Sequence, residues 1–366
     1  MSTLLRSTLA SFSLLVMSAC QQGTKTTESG ASAVDIPNTS VKSQGVIGYC
    51  WAYAAVAMIE SDYKKRTGKD IDLSEEAIGF FHFAEQLKAT MDQNLKYNKK
   101  DFSLRQGGFI NGTSNALGSK DAFALIERWG LIPESQWTEK FETEIDRDFA
   151  LESIQENFLA LQEKIRGKQT VVQMNQIFEI LTDGAFSKVP PVDGFNNGSG
   201  QMNAVQYARN VVGYRPNAYQ DVWIDRSNAA SQLESSLQRV KQTLAAGNVV
   251  GLTISMPSTE TWFQRIQGTR FVGLNQPFAL KGAHAMVITD FKNSGGVFGP
   301  MPNVGEEVKK PIELELQFKL KNSWGSQAGV NEFGRVILTG FYDMDLMYMT
   351  DVLKSGGYVA FTFPSN

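Results

Sequence analysis

The sequence predicts an α+β chain, mainly helical in its front half and mainly β in its back half, and three patterns carry that expectation. Between residues 50 and 180 several stretches place apolar side chains at helical spacing with charged residues on the opposite face. Residues 312–321 alternate strictly, with Ile312, Leu314, Leu316, Phe318 and Leu320 set against Glu313, Glu315, Gln317, Lys319 and Lys321, which is the period of a strand with one buried and one wet face. The runs NVVGLTISM at 248–256 and AMVITDF at 285–291 are β-branched and apolar. With 366 residues the chain is long enough for two lobes and a sizeable core, and no repeat of fixed period is present.

Residues 1–19 read as a secretory signal, with Arg6 in a short n-region, an apolar stretch from Leu9 to Met17, and Ser18 and Ala19 just before Cys20. The M-S-A-C ending resembles a bacterial lipobox, in which Cys20 becomes the lipidated first residue and a membrane anchor. Cleavage near Ala19 to release a secreted protein is the other reading. On the first reading the protein is an exported cell-envelope lipoprotein, and Gln21 after Cys20 points to the outer membrane if the source is a diderm bacterium. Residues 20–35, rich in Gly, Ser and Thr, read as a flexible tether. A mainly helical lobe is expected over 36–235 and a mainly β lobe over 236–366.

Within the helical lobe, a helix is expected to start at or just before Cys50, because Ala52 to Ile59 contain only good helix formers and apolar residues, and to end at Gly68 after Lys64, Lys65 and Arg66. Ser74 followed by Glu75 and Glu76 opens the next helix. Its His82, set among Phe80, Phe81 and Phe83, reads as a packed helix residue rather than a catalytic one. DAFALIERWG forms a further helix ended by Gly130 and Pro133, and two amphipathic stretches follow between 138 and 180, with Ile145, Phe149, Ile154, Phe158 and Leu161 spaced for one face. Further strands are expected at 335–339 and 358–363.

The composition excludes some classes of function. A net charge of -3 leaves no basic footprint for nucleic acid. Cys20 and Cys50 are the only cysteines, so a disulfide framework is excluded unless these two pair. A cysteine at a helix N-terminus is either an activated thiol, its anion stabilised by free N–H groups, or a small buried hydrophobe. His284, between Ala283 and the AMVITDF strand, is a candidate for a base, although standing alone it reads more simply as a satisfied structural histidine, and the parity of 312–321 puts Asn322 on the buried side.

Three blocks decide between these readings: VKSQGVIGYCWAYAAVAMIES, KGAHAMVITDF and KLKNSWGSQAGVNEFGRV, in that order. They resemble the signature blocks of the papain-like cysteine peptidases, including the six-residue step from Gln44 to Cys50. The resemblance implies a two-lobe fold, with a helical left lobe, an antiparallel β-barrel-like right lobe and the active-site cleft between them. It implies Cys50 as nucleophile, His284 as general base and acid in a thiolate–imidazolium pair, and Asn322 as the residue that orients the imidazole. Gln44 would bind the oxyanion together with the Cys50 N–H, Trp324 would shield the Asn322–His284 bond, and Gly107 and Gly108 would edge the substrate site. The substrate implied is a peptide or protein, with no cofactor and no metal.

The chain departs from the family pattern at several points. Ile47 stands where a bridged cysteine is common, and Tyr49, where a small residue is usual, is expected to narrow the cleft beside the thiol. No long helical propeptide is expected, and the helical region over 138–235 is closer to the bulkier bleomycin-hydrolase-like branch. Two other functions remain open: a cysteine amidase acting on cell-wall peptides, and a catalytically silent lipoprotein that binds through a peptidase fold.

Overall fold

Helix α1, Cys50–Thr67, is apolar on every side from Trp51 to Ile59, and a helix of that kind is stable only when surrounded by protein. The computed structural model, which describes residues 36–99, 119–141, 143–292, 316–325, 329–330, 336–337 and 340–365, buries every residue from Trp51 to Ser61. The helix ends as expected, with Gly68 in the left-handed region at φ 70° and its N–H donated to Lys64 O. The signal, the tether, Cys20, Gly107 and Gly108 lie outside the described residues.

Helices α2 (Glu75–Tyr97), α3 (Ser119–Trp129), α4 (Glu144–Ile165) and α5 (Met174–Thr182) build the rest of the helical region. Ser74 caps α2 by accepting the Ala77 N–H. An aromatic cluster joins the helices, with Phe80 against Trp137, Phe178 and Phe186, and Phe81 stacked on Trp129 at 4.4 Å. The predicted face of α4 is buried only in its later part. Ile154 and Phe158 are buried, but Ile145 and Phe149 stand in solvent while Ala150 and Leu151 are buried instead.

Besides two two-stranded ladders, the β part among the described residues is an eight-stranded row, in the order Tyr219–Ile224, Val359–Pro364, Val250–Pro257, Leu280–Lys292, Gln317–Lys321, Phe341–Asp345, Arg270–Phe271 and Ile266–Gln267. All neighbours are antiparallel except the pair between Phe341–Asp345 and Arg270–Phe271. The chain is therefore an α+β protein. Its edge strand, Tyr219–Ile224, comes from the segment read as helical, and a helix at Leu346–Lys354 lies in the segment read as β. Helix α1 packs on the strands Leu280–Lys292 and Val250–Pro257. The approach is close because position 251 is glycine: a Cβ there would meet Met58 Sδ and the Thr362 side chain at 2.9 Å.

Two strand expectations need correction. His284 lies inside its strand, paired with Ile254, rather than ahead of it, since the ladder to Val250–Pro257 continues back to Leu280. Of the 312–321 strand, residues 312–315 lie outside the described residues and the strand runs from Gln317 to Lys321. Phe318 and Leu320 are buried as the alternation requires, but Lys321 is buried too, its ammonium donating to Thr39 Oγ.

Candidate active site

Strand register brings the histidine and the asparagine together. Val287 is opposite Lys321 and Ile288 opposite Leu320, so continuing the ladder sets Asn322 opposite Met286, diagonally beside His284 on the same face. The side chains meet there, with His284 Nε2 donating to Asn322 Oδ1 at 2.6 Å, both residues buried. Asn322 Oδ1 also accepts the Ser323 N–H at 2.7 Å, which holds the oxygen in place as an acceptor. Because Nε2 carries the proton, Nδ1 of the neutral ring is a free base.

The cysteine comes from the other side. Tyr49, the residue ahead of α1, offers no side-chain cap, so the first N–H groups of the helix are left for the sulfur. The backbone amides of Ala285, Trp51 and Cys50 all act to lower the thiol pKa. Ala285 follows His284 directly, and α1, which opens at Cys50, packs on the strand that carries both. Cys50 is half-buried and is a free thiol.

Burial dominates the electrostatics. It pushes the Cys50 thiol up, against the pull of the three amides, and pushes His284 down to about 4, against the Asn322 hydrogen bond. The lowered thiol expected from the helix terminus alone is thus overridden, and each group is held neutral when taken singly. Charge is stabilised here only if both form together, by transfer of the thiol proton to Nδ1.

Gln44 is fixed by a seam between the two ends of the chain. Ser43 forms a β-bridge with Trp324, the Gln44 N–H donates to Ser323 O at 2.9 Å, and the Gly325 N–H donates to Lys42 O at 3.2 Å. The Gln44 side-chain oxygen accepts from Ser323 Oγ and its Nε2 donates to Ile47 O at 2.9 Å, leaving its second N–H as a donor. Gly45 turns the loop at φ 59°, and a Cβ there would lie 2.5 Å from Phe141 O. Trp324 stacks on His284 with ring centroids 4.6 Å apart and 24° between the planes.

Tyr49 does not narrow the cleft. Its ring is buried against Trp51 and Phe83, in space left by Gly79, where a Cβ would strike it at 2.4 Å. His82 packs on Trp51 and bonds Gln86 at 2.6 Å, away from the thiol. Two neighbours of the site escaped the sequence reading. Ser323 lies inside a recognised block and was discoverable there; Tyr358, whose hydroxyl is pushed up by burial and by the Cys50 charge, is marked by no motif.

A model of the peptidase C1-like family matches residues 5–183, a span that includes Gln44 and Cys50. Over that span the chain is similar to the papain-like cysteine peptidases. Among relatives of that family, ananain from Ananas comosus is 38% identical over 73 residues, 20% of this chain and 19% of that protein. The viral cathepsin of Heliothis zea nuclear polyhedrosis virus is 52% identical over 40 residues, 11% of each. The chain thus spans a fifth or less of the length of these relatives. Xylellain, a cysteine protease from Xylella fastidiosa, has a solved structure with a TM-score of 0.46 and 16% identity, over 91% of this chain and 85% of that one.

Proposed function

We propose that the protein is a cysteine-type peptidase that hydrolyses peptide bonds through a thioacyl-enzyme on Cys50. The observation that carries this reading is that α1, which opens at Cys50, packs on the strand that holds His284, whose ring is bonded to Asn322 at 2.6 Å. As the thiol proton passes to His284 Nδ1, the sulfur attacks the scissile carbonyl carbon and its oxygen becomes an oxyanion. The free Gln44 N–H and the Cys50 N–H donate to that oxyanion. His284 then gives its proton to the departing amine, and the C–N bond breaks. A water, deprotonated by the same nitrogen, attacks the thioester carbon; the acid leaves and the thiol is restored.

Replacement of Cys50 by alanine is expected to abolish turnover of a fluorogenic peptide, and full activity in that variant would sink the reading. Iodoacetamide is expected to label Cys50 at neutral pH through transfer of the thiol proton to His284, with labelling strongly slowed in His284→Ala; labelling unaffected by that substitution would favour a silent binding protein. Action on cell-wall amides is the second reading, supported by the same triad. Parallel turnover of wall fragments and of fluorogenic peptides separates the two. We further propose that the chain is exported and anchored through a lipid on Cys20. That predicts incorporation of labelled palmitate, abolished in Cys20→Ala.

A further inference from the structure

A second cluster of charged side chains lies on the helical side, and the proposed hydrolysis does not use it. Backbone bonds stitch the entrance of α2 to the turn after α3: Leu73 bridges Pro133, the Ser74 N–H donates to Ile132 O at 2.8 Å, and the Glu134 N–H donates to Asp72 O at 3.0 Å. This seam brings Glu134 to Glu75 and Glu76, and one carboxylate oxygen from each lies within 4.8 Å of the others. Glu75 and Glu76 are only 2% and 4% exposed.

The groups around the cluster do not account for it. Lys42 reaches Glu75 at 2.9 Å but is shared with Glu60 and Asp72. Tyr53 bonds Glu76, Thr138 donates to Glu134 at 2.7 Å, and the half-exposed Lys140 reaches the same Glu134 oxygen at 3.8 Å. Each of the three carboxylates still has a buried Oε2 with no hydrogen-bond partner among the described residues. A separate residue points to the same spot. The Tyr49 hydroxyl is buried, has no partner among the described residues, and is close enough to Glu76 to feel its charge. Helix α2 offers the positive end of its dipole, but that is small beside the cost of burying uncompensated charges.

We propose that the protein binds one divalent cation, Ca2+ by preference, between Glu75, Glu76 and Glu134. An all-oxygen ligand set selects a hard cation. Burial favours Ca2+ over Mg2+, which keeps several of its waters. The ion is structural: it neutralises the first turn of α2 and steadies Tyr53, whose hydroxyl also reaches Ser43 O at 2.8 Å, next to Gln44. The sequence reading expected no metal, and this ion stands outside the catalytic chemistry.

The test uses the purified full chain, stripped of metal with a chelator and titrated with CaCl2 alone by calorimetry and by thermal unfolding. One equivalent is expected to bind with a dissociation constant at or below about 1 mM and to raise the melting temperature. Glu134→Gln, which leaves the Lys42 ion pairs intact, is expected to weaken binding at least tenfold and to remove the thermal shift. Glu163→Gln, on the exposed face of α4, is expected to change neither. Absence of a one-equivalent site up to about 10 mM CaCl2, well above the range of protein calcium sites, or unchanged affinity in Glu134→Gln, overturns the proposal and assigns the cluster to shared protons. The wild-type titration decides even if the variant does not fold.

Discussion

Replacing Asn322 with alanine tests how the imidazole is held. The substitution removes the 2.6 Å bond from His284 Nε2 but leaves the stack with Trp324, whose ring lies 4.6 Å away, so the imidazole keeps its place while losing its orienting acceptor. A hydrogen bond to a charged group contributes about 1.5–3 kcal/mol, and His284 is charged when it has taken the thiol proton. At about 1.4 kcal/mol per decade, kcat/KM is expected to fall roughly 10- to 150-fold, mostly in kcat. The pH profile gives a second readout. The working base is neutral imidazole with a pKa of about 4, so activity declines as the pH falls through that value. Asn322 raises that pKa against burial, so its removal moves the acid limb to still lower pH. Steady-state kinetics on a fluorogenic peptide from pH 3 to 8 measures both. The substitution also frees the Ser323 N–H, so the melting temperature is measured alongside to separate lost stability from lost catalysis. Undiminished kcat/KM, or an acid limb displaced upward, would refute the assigned role.

Other perturbations read the seam, the core and the second histidine. Ser323→Ala removes the bond that orients the Gln44 oxygen and is expected to lower kcat by up to about tenfold, for a net hydrogen bond of about 0.5–1.5 kcal/mol, with KM little changed. Gly45→Ala is strained at φ 59° and strikes Phe141 O, so loss of activity together with a lower melting temperature is expected. Asp351→Ala strips the buried partner of Arg265, 2.8 Å away, and is expected to cost about 3–5 kcal/mol in urea unfolding. Buried His82 is held at about 4, against 6.5 for the free group, so the unfolded chain binds the extra proton between those values and stability falls as pH drops through that window. From pH 7 to 5 this amounts to roughly 2 kcal/mol, and His82→Gln is expected to flatten the urea-measured pH dependence by about that much.

The parts legible in the sequence are those set by local pattern. The unbroken apolar run after Cys50 specified a buried helix, Gly68 its end, and the parity of Phe318 and Leu320 carried through to a buried Asn322. What escaped depended on distant partners. Nothing in YQDVWI shows that Tyr219–Ile224 pairs with the last strand, Val359–Pro364, which lies at the far end of the chain. Lys321 looked solvated because its charge sets its hydropathy, yet its long stem can bury while the ammonium reaches Thr39. Tyr49 looked like an obstacle in the cleft because the glycine that accommodates it, Gly79, lies in another helix.

The Cys50 thiol shows why local reasoning reaches only part of the chemistry. A helix terminus stabilises an anion by about 0.3–1 kcal/mol, up to about 2 in favourable buried geometry. Desolvation of a buried group shifts its pKa by as much as about 3–5 units, several-fold more free energy. The first effect is visible in a short run of consecutive residues; the second is imposed by the histidine strand, which is remote in sequence. Burial wins at both members of the pair, raising the thiol and lowering the imidazole. Neither charge is therefore stable alone, and the nucleophile forms only as its proton reaches His284. This makes Asn322 more important than a pre-formed thiolate would, because the one hydrogen bond that favours the charged ring acts at the moment that charge appears.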